Sequence, residues 1–251
     1  MYRSLCLIYI WAVFSCTLCM AQDSLRLIAK MHGERFGDGF GVVAAAGDVN
    51  GDGFDDILVG AKGIDSGNYA KLYLGGVPFD TVAARTFRCE QIASHFGFAL
   101  AGNGDLNGDG YPDIVIGAPR WWRGGKPFGE TDVGRVYVYF GGPTMDTIPD
   151  LLLAPETWYA YFGSSVAIVG DVNGDGYDDF VVGAPLAAWG SPAGQTGRAY
   201  LYLGGNPMDT LPVAMLSGYN AGDFFGESVS VTGDVNGDGY ADFLIGAGQR
   251  G

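Results

Sequence analysis

Four stretches of this 251-residue chain carry oxygen ligands at one fixed spacing. Each reads Asp-x-Asn-Gly-Asp-Gly-x-x-Asp and runs straight into an apolar stretch ending in Gly-Ala. Counting from the first Asp, positions 1, 3, 5 and 9 hold Asp48, Asn50, Asp52 and Asp56 in the first copy, and Asp105, Asn107, Asp109 and Asp113 in the second. The third copy has Asp171, Asn173, Asp175 and Asp179, and the fourth Asp234, Asn236, Asp238 and Asp242. Position 7, where a backbone carbonyl would turn inward, is Phe54, Tyr111, Tyr177 or Tyr240. Position 6 is always Gly, which permits the positive φ of a sharp turn around an ion. Oxygen ligands at alternate positions suit calcium, which takes six to eight of them in flexible geometry. Soft metals would want Cys or His, and the loops contain neither. Every residue named is a candidate ligand, and Ca²⁺ at about four sites is the expected cofactor.

Two other uses of such a loop have to be weighed. An EF-hand needs a bidentate Glu at position 12 between two helices. Position 12 here is Val59, Ile116, Val182 or Ile245, inside an apolar run that predicts a strand. The loop therefore joins two strands. Asp/Asn/Gly-rich loops also serve as plain β-turns, but four copies that keep every ligand position favour the ion.

The elements that must position the loops repeat as well. A Phe-Gly pair opens a strand nine residues before the first loop Asp at Phe96-Gly97, Phe162-Gly163 and Phe225-Gly226. In the first copy Phe40-Gly41 stands one residue closer and Phe36-Gly37 lies upstream, so that strand start is ambiguous. After the loop and its strand comes a third strand ending in Gly-Gly, at 69–76, 135–142 and 198–205, then a fourth at 85–90, 150–154 and 213–217. Four short strands per ~60 residues make an antiparallel sheet that must stack on copies of itself, and radial stacking of such sheets is a β-propeller. The expected fold is all-β, with no 10-residue helical period after the N-terminal segment.

Phe-Gly, then Gly-Asp-x-Asn-Gly-Asp-Gly-Tyr-x-Asp, then Gly-Ala-Pro resembles the FG-GAP repeat of the integrin α-chain β-propeller and its bacterial secreted relatives. Gly117-Ala118-Pro119 and Gly183-Ala184-Pro185 keep the last element, whereas Lys62 and Gly248 replace its Pro in copies one and four. The resemblance implies calcium in the Asp-rich loops, on one face of the disc, at the positions named above. It also implies about seven blades. Repeats at about 31–92, 93–156, 157–218 and 219–251, with a lone strand at Ser24–Lys30, fall short of that ring. An incomplete ring is the expectation, and a compact four-bladed ring the alternative.

Residues 1–21 have the order of a secretory signal peptide: Arg3, an apolar run from Leu5 to Leu18, then Cys19-Met20-Ala21 before Gln22. The apolar run is shorter than the ~20 residues a span needs. The expected location is secreted or cell-surface, without a membrane span after cleavage. Cleavage would leave Cys89 as the sole thiol, so no internal disulfide braces the chain. The net charge of −14 gathers in the loops and excludes a basic nucleic-acid surface.

Loops following Gly-Ala-Pro lie at the opposite end of the strands. Arg120, Trp121, Trp122 and Arg123 in the second repeat and Trp189 in the third are residue types enriched at contact hot spots. Either they touch an extracellular protein or glycan, or Trp121 and Trp122 plug a seam between blades. An adhesion or ligand-binding module is the leading functional expectation. The alternatives are the propeller part of a secreted polysaccharide-acting enzyme and a purely structural surface repeat. His32 and His95 have no placeable nucleophile or carboxylate partner, so no catalytic residue is assigned.

Overall fold

The structure is a computed structural model that describes residues 7–11, 15–22, 24–63, 68–123, 132–155, 160–187 and 195–248, with side chains from residue 27 onward. All regular elements among these residues are strands. The first blade is the meander β4 (Phe40–Gly47), β5 (Asp56–Ala61), β6 (Tyr69–Tyr73) and β7 (Arg85–Arg88). The second is β8 (Ala99–Gly104), β9 (Asp113–Ala118), β10 (Arg135–Tyr139) and β11 (Leu151–Leu153). The third is β12 (Ser165–Gly170), β13 (Asp179–Ala184), β14 (Arg198–Tyr202) and β15 (Ala214–Ser217), and β16 (Phe225–Gly233) with β17 (Asp242–Ala247) starts a fourth. Every pairing between named strands is antiparallel. The opening strands β4, β8, β12 and β16 stand next to one another in that order, so the sheets fan around a common axis as an unclosed propeller.

The sequence dictates this layering. β9 and β13 are buried along their whole length. Their unbroken Ile-Val-Ile and Phe-Val-Val runs suit a strand covered on both faces, where alternation would leave polar groups without water. Apolar clusters fill each seam: Phe96, Phe87, Leu72 and Ile114 between the first two blades, and Phe162, Phe180, Val138 and Tyr200 between the next two. The two named motif glycines meet across these seams. A Cβ on Gly60, Gly117 or Gly183 would run into the carbonyl of Gly97, Gly163 or Gly226 in the following blade. Gly-Ala and Phe-Gly are thus two halves of one close approach between backbones.

The ambiguous first strand is settled at Phe40. Gly39 has φ 65°, matching the left-handed residue just before Phe-Gly in the other copies, His95 (58°), Tyr161 (52°) and Phe224 (49°). The one-residue difference is absorbed by β4, whose pairing to β5 shifts register between Phe40 and Val42 and again between Ala45 and Gly47.

The N-terminal strand expected to stand alone is present as β3 (Ser24–His32) but has a partner on one edge, and its Met31 is buried against Val59 and Tyr73 of the first blade. Upstream, β1 (Leu7–Trp11) and β2 (Ser15–Gln22) form an antiparallel sheet with it. This is the stretch expected to be cleaved, so its removal would free one edge of β3. No helix among the described residues is long and apolar enough to cross a membrane.

Candidate metal centres

The four Asp-rich loops connect β4 to β5, β8 to β9, β12 to β13 and β16 to β17, so all four lie at one end of the strands. A common set of bonds recurs in each copy, to which copies two to four add one from the position-4 Gly N–H to the position-1 Asp. In the first, the two oxygens of Asp48 accept the N–H groups of Asp52 and Gly53 at 2.9 and 2.8 Å. Asn50 Oδ1 accepts the same Asp52 N–H at 2.9 Å, and Asn50 Nδ2 donates to Asp52 Oδ2 at 2.9 Å. Asp52 Oδ1 takes the Phe54 N–H at 3.0 Å. Asp105, Asp171 and Asp234 repeat the bonds of Asp48, while Asn107, Asn173 and Asn236 bond Asp109, Asp175 and Asp238 as Asn50 bonds Asp52. Gly53, Gly110, Gly176 and Gly239 at position 6 have φ of 91°, 88°, 92° and 94°, which a Cβ would disfavour. Each loop thereby holds the oxygens of positions 1, 3 and 5 around one backbone turn.

Position 9 behaves differently. Asp56, Asp113 and Asp179 are buried, and each carboxylate binds two amides. One oxygen takes the position-2 N–H, from Val49, Leu106 or Val172 at 3.0, 2.7 and 2.9 Å. The other takes Gly75, Gly141 or Gly204, just past the third strand, at 2.7, 2.8 and 2.8 Å. Asp242 makes the first of these bonds, to Val235, at 2.9 Å. This residue locks its loop to the end of the blade as well as offering oxygen. That second role needs the Gly-Gly that ends the third strand, which the sequence contains but does not place.

Burial and the neighbouring loop charges act most on position 9. Burial pushes Asp113 up to about 7, and the charges of Asp109 and Asp105 add to it against the two N–H bonds. Asp56 and Asp179 are pushed up to about 6 for the same reasons. Asp171 moves the other way. Its slight burial is outweighed by the amides of Gly176, Gly174, Asp175 and Asn173, which hold it below the usual carboxylate range. The donor set is all oxygen, as a hard cation requires. Among the described residues no three Asp, Glu, His or Cys side chains form a ready-made metal cluster. A cation held here would draw on Asn oxygens and the position-7 carbonyl beside the carboxylates of positions 1, 5 and 9.

At the other end of the strands, the structure separates the aromatic residues. Trp121 is buried in the first seam. Its indole Nε1 donates to Glu90 Oε1 at 2.8 Å, and the Arg135 guanidinium lies over its ring, 3.5 Å from the centroid. This is the seam-plugging alternative, not an open contact surface. Trp122 is half-buried, and Arg123 is exposed. Arg120 lies 5.8 Å from the Tyr161 ring. Trp189 lies outside the described residues. Sequence reasoning missed Glu90, which gathers Trp121, Arg135 and Tyr137, because its partners come from another blade. Cys89 packs against Ser94 and Tyr137, and burial pushes its thiol up, away from nucleophilic use. Burial pushes the His95 imidazole down to about 4, with Arg120 and Lys62 adding to it.

Comparison with known proteins bears on the same segments. The FG-GAP repeat matches residues 40–70, 96–139, 162–202 and 225–251. Integrin alpha-5 of Xenopus laevis is 36% identical over 215 residues, 83% of this chain and 20% of that protein. Integrin alpha-IIb of Homo sapiens is 37% identical over 164 residues, 64% and 15% of the two chains. Integrin alpha-8 of Mus musculus is 32% identical over 219 residues, 84% and 20%. The chain spans a fifth or less of the length of these relatives. Each match begins at the Phe that opens a blade and runs through an Asp-rich loop into the following Gly-Ala, so the chain belongs to the FG-GAP repeat family of β-propeller proteins.

Proposed function

We propose that this chain is a secreted or cell-surface, calcium-braced propeller that acts by binding an extracellular protein or glycan. The observation that carries the reading is a loop wiring repeated four times, in which position-1 and position-3 oxygens both accept the position-5 N–H and the position-5 carboxylate accepts the position-7 N–H. Asp48, Asn50, Asp52, the Phe54 carbonyl and Asp56 would hold the first cation, and the corresponding sets the other three. The cation supplies positive charge among converging carboxylates, so its role is stability and not chemistry. Residues 1–21 serve as a signal peptide, and the four repeats follow in the mature chain.

The contact residues in this reading are Arg120, Trp122 and Arg123 of the second repeat and Trp189 of the third, all following a Gly-Ala-Pro. Trp121 is buried in the seam beside them. The protein needs no catalytic group for this work. The test is binding of the whole chain to an array of matrix proteins and glycans, with calcium and with chelator. Calcium-dependent binding that Arg123→Ala with Trp122→Ala removes is the expected result. Turnover of an acidic polysaccharide without stable binding would overturn the reading.

A further inference from the structure

We infer that each of the first three cation loops is completed by the loop of the following blade, so that neighbouring sites bind calcium cooperatively and the position-7 and position-8 residues are positioning residues for the site before them. This rests on the cation reading above. The first observation is a ladder of rings on glycines. A Cβ built on Gly51 would lie 2.5 Å from Tyr111 Cε1, one on Gly108 2.5 Å from Tyr177 Cε1, and one on Gly174 2.7 Å from Tyr240 Cε1. Position 4 of every loop is therefore roofed by the position-7 ring of the next, until Gly237, which has nothing within 4 Å. Only glycine leaves room for the ring.

A second set of contacts grips the position-1 residue itself. Asp178 N donates to Asp105 O at 3.0 Å, and Ala241 N donates to Asp171 O at 3.0 Å. The second pair of loops carries one bond more, from Asp105 N to Asp178 Oδ2 at 2.8 Å. The first pair has Pro112 at position 8, which has no N–H to give. The position-2 carbonyls are gripped too, with Gly142 N to Val49 O at 2.7 Å and Gly205 N to Leu106 O at 2.8 Å. The grip is thus graded, strongest of loop three on loop two.

The position-1 carboxylate is the hub of its loop, so fixing its backbone from outside reduces the ordering a cation must impose. A cation that orders Tyr177 and Asp178 within loop three then prepares loop two, and thermodynamic linkage makes the effect reciprocal. Side chains at positions 7 and 8 offer no ligand to their own ion in this scheme. Their effect on affinity should appear one blade earlier.

Calcium titration of the full chain, followed through the amide signals of Gly110, Gly176 and Gly239, separates the sites. Tyr177→Ala should raise the calcium midpoint of Gly110 at least threefold and leave Gly239 unmoved. Asp178→Ala should do the same, and it keeps the test alive if the tyrosine variant does not fold. Tyr177→Phe, which keeps the ring edge, and Asp178→Asn, which keeps an acceptor without the charge, should stay near the parent. A Gly110 midpoint that does not move while Gly176 does would overturn the inference and leave the cation sites standing. If no glycine in the unaltered chain responds to calcium, the cation reading falls and this inference with it.

Discussion

Replacing Trp121 by alanine separates a seam residue from a contact residue. The side chain is 7% exposed, donates one hydrogen bond to Glu90 and lies under the Arg135 guanidinium. Truncating a buried Trp costs about 3–5 kcal/mol through lost transfer energy and the cavity left behind. Because Glu90 and Arg135 keep each other at 2.7 Å and reach solvent, the orphaned carboxylate adds little, and about 3 kcal/mol is the better figure. For a chain of this size each kcal/mol moves the melting temperature by about 2–4 °C, so a fall of about 6–12 °C is expected. Trp122→Ala is the control. Its bonds to Gln91, at 3.0 and 2.9 Å, are made by its backbone and survive truncation, so it should change the melt by less than about 3 °C. Differential scanning calorimetry of both variants, with calcium present, reads the difference. A Trp121→Ala protein that melts with the parent but has lost ligand binding would refute the seam assignment.

The other expectations are direct. Asp113→Ala removes the carboxylate that accepts the Leu106 and Gly141 N–H groups; about 2–4 kcal/mol should be lost by chemical denaturation, and an unchanged midpoint would contradict the brace. Gly117→Ala places a methyl against Gly163 O and should cost about 1–3 kcal/mol by overpacking, whereas Gly53→Ala meets no neighbour within 4 Å and suffers only its positive φ. His95, held down to about 4 against an ordinary value of 6.5, binds fewer protons folded than unfolded. Its stabilising contribution is therefore full above about pH 6.5 and is lost as pH falls toward 4, worth about 1 kcal/mol after discounting for its partial exposure. His95→Gln should flatten the stability profile over that window by this amount, and parallel profiles would refute the assignment. N-terminal sequencing of exported protein should begin near Gln22; retention of Trp11 would disprove cleavage.

Much of the fold was legible because its information is local and repeated. Asp-x-Asn-Gly-Asp-Gly-x-x-Asp followed by an apolar run into Gly-Ala fixes a loop and a strand without reference to anything distant, and four copies average out chance. The first copy was ambiguous at Phe36 and Phe40 because a bulge can absorb a residue, and only the pairing of β4 with β5 shows where it does. The fate of Trp121 was illegible for a different reason. Its burial depends on Glu90 and Arg135, distant in sequence and joined only when blades stack. The bond from the third strand's end to Asp56, Asp113 and Asp179 joins two distant parts of one repeat, and the rings of Tyr111, Tyr177 and Tyr240 over the preceding loop are contacts between repeats. The invariant Gly at position 4 and aromatic at position 7 were visible signs of the ring contact.

The central claim is that calcium occupies the four loops and stabilises the stacked blades. Extracellular calcium sites bind with Kd of roughly 10⁻⁴ to 10⁻³ M, so at ~1 mM each adds about 0.4–1.4 kcal/mol, and four add about 2–6 kcal/mol. The deciding measurement is a thermal melt of the purified chain with chelator and with ~1 mM calcium, paired with elemental analysis of protein equilibrated by dialysis against the same ~1 mM calcium, the dialysate serving as blank. The account predicts about two to four calcium ions per chain under those conditions and a melt lower by about 4–24 °C in chelator, restored by calcium and poorly by magnesium. No bound calcium and identical melts would contradict it.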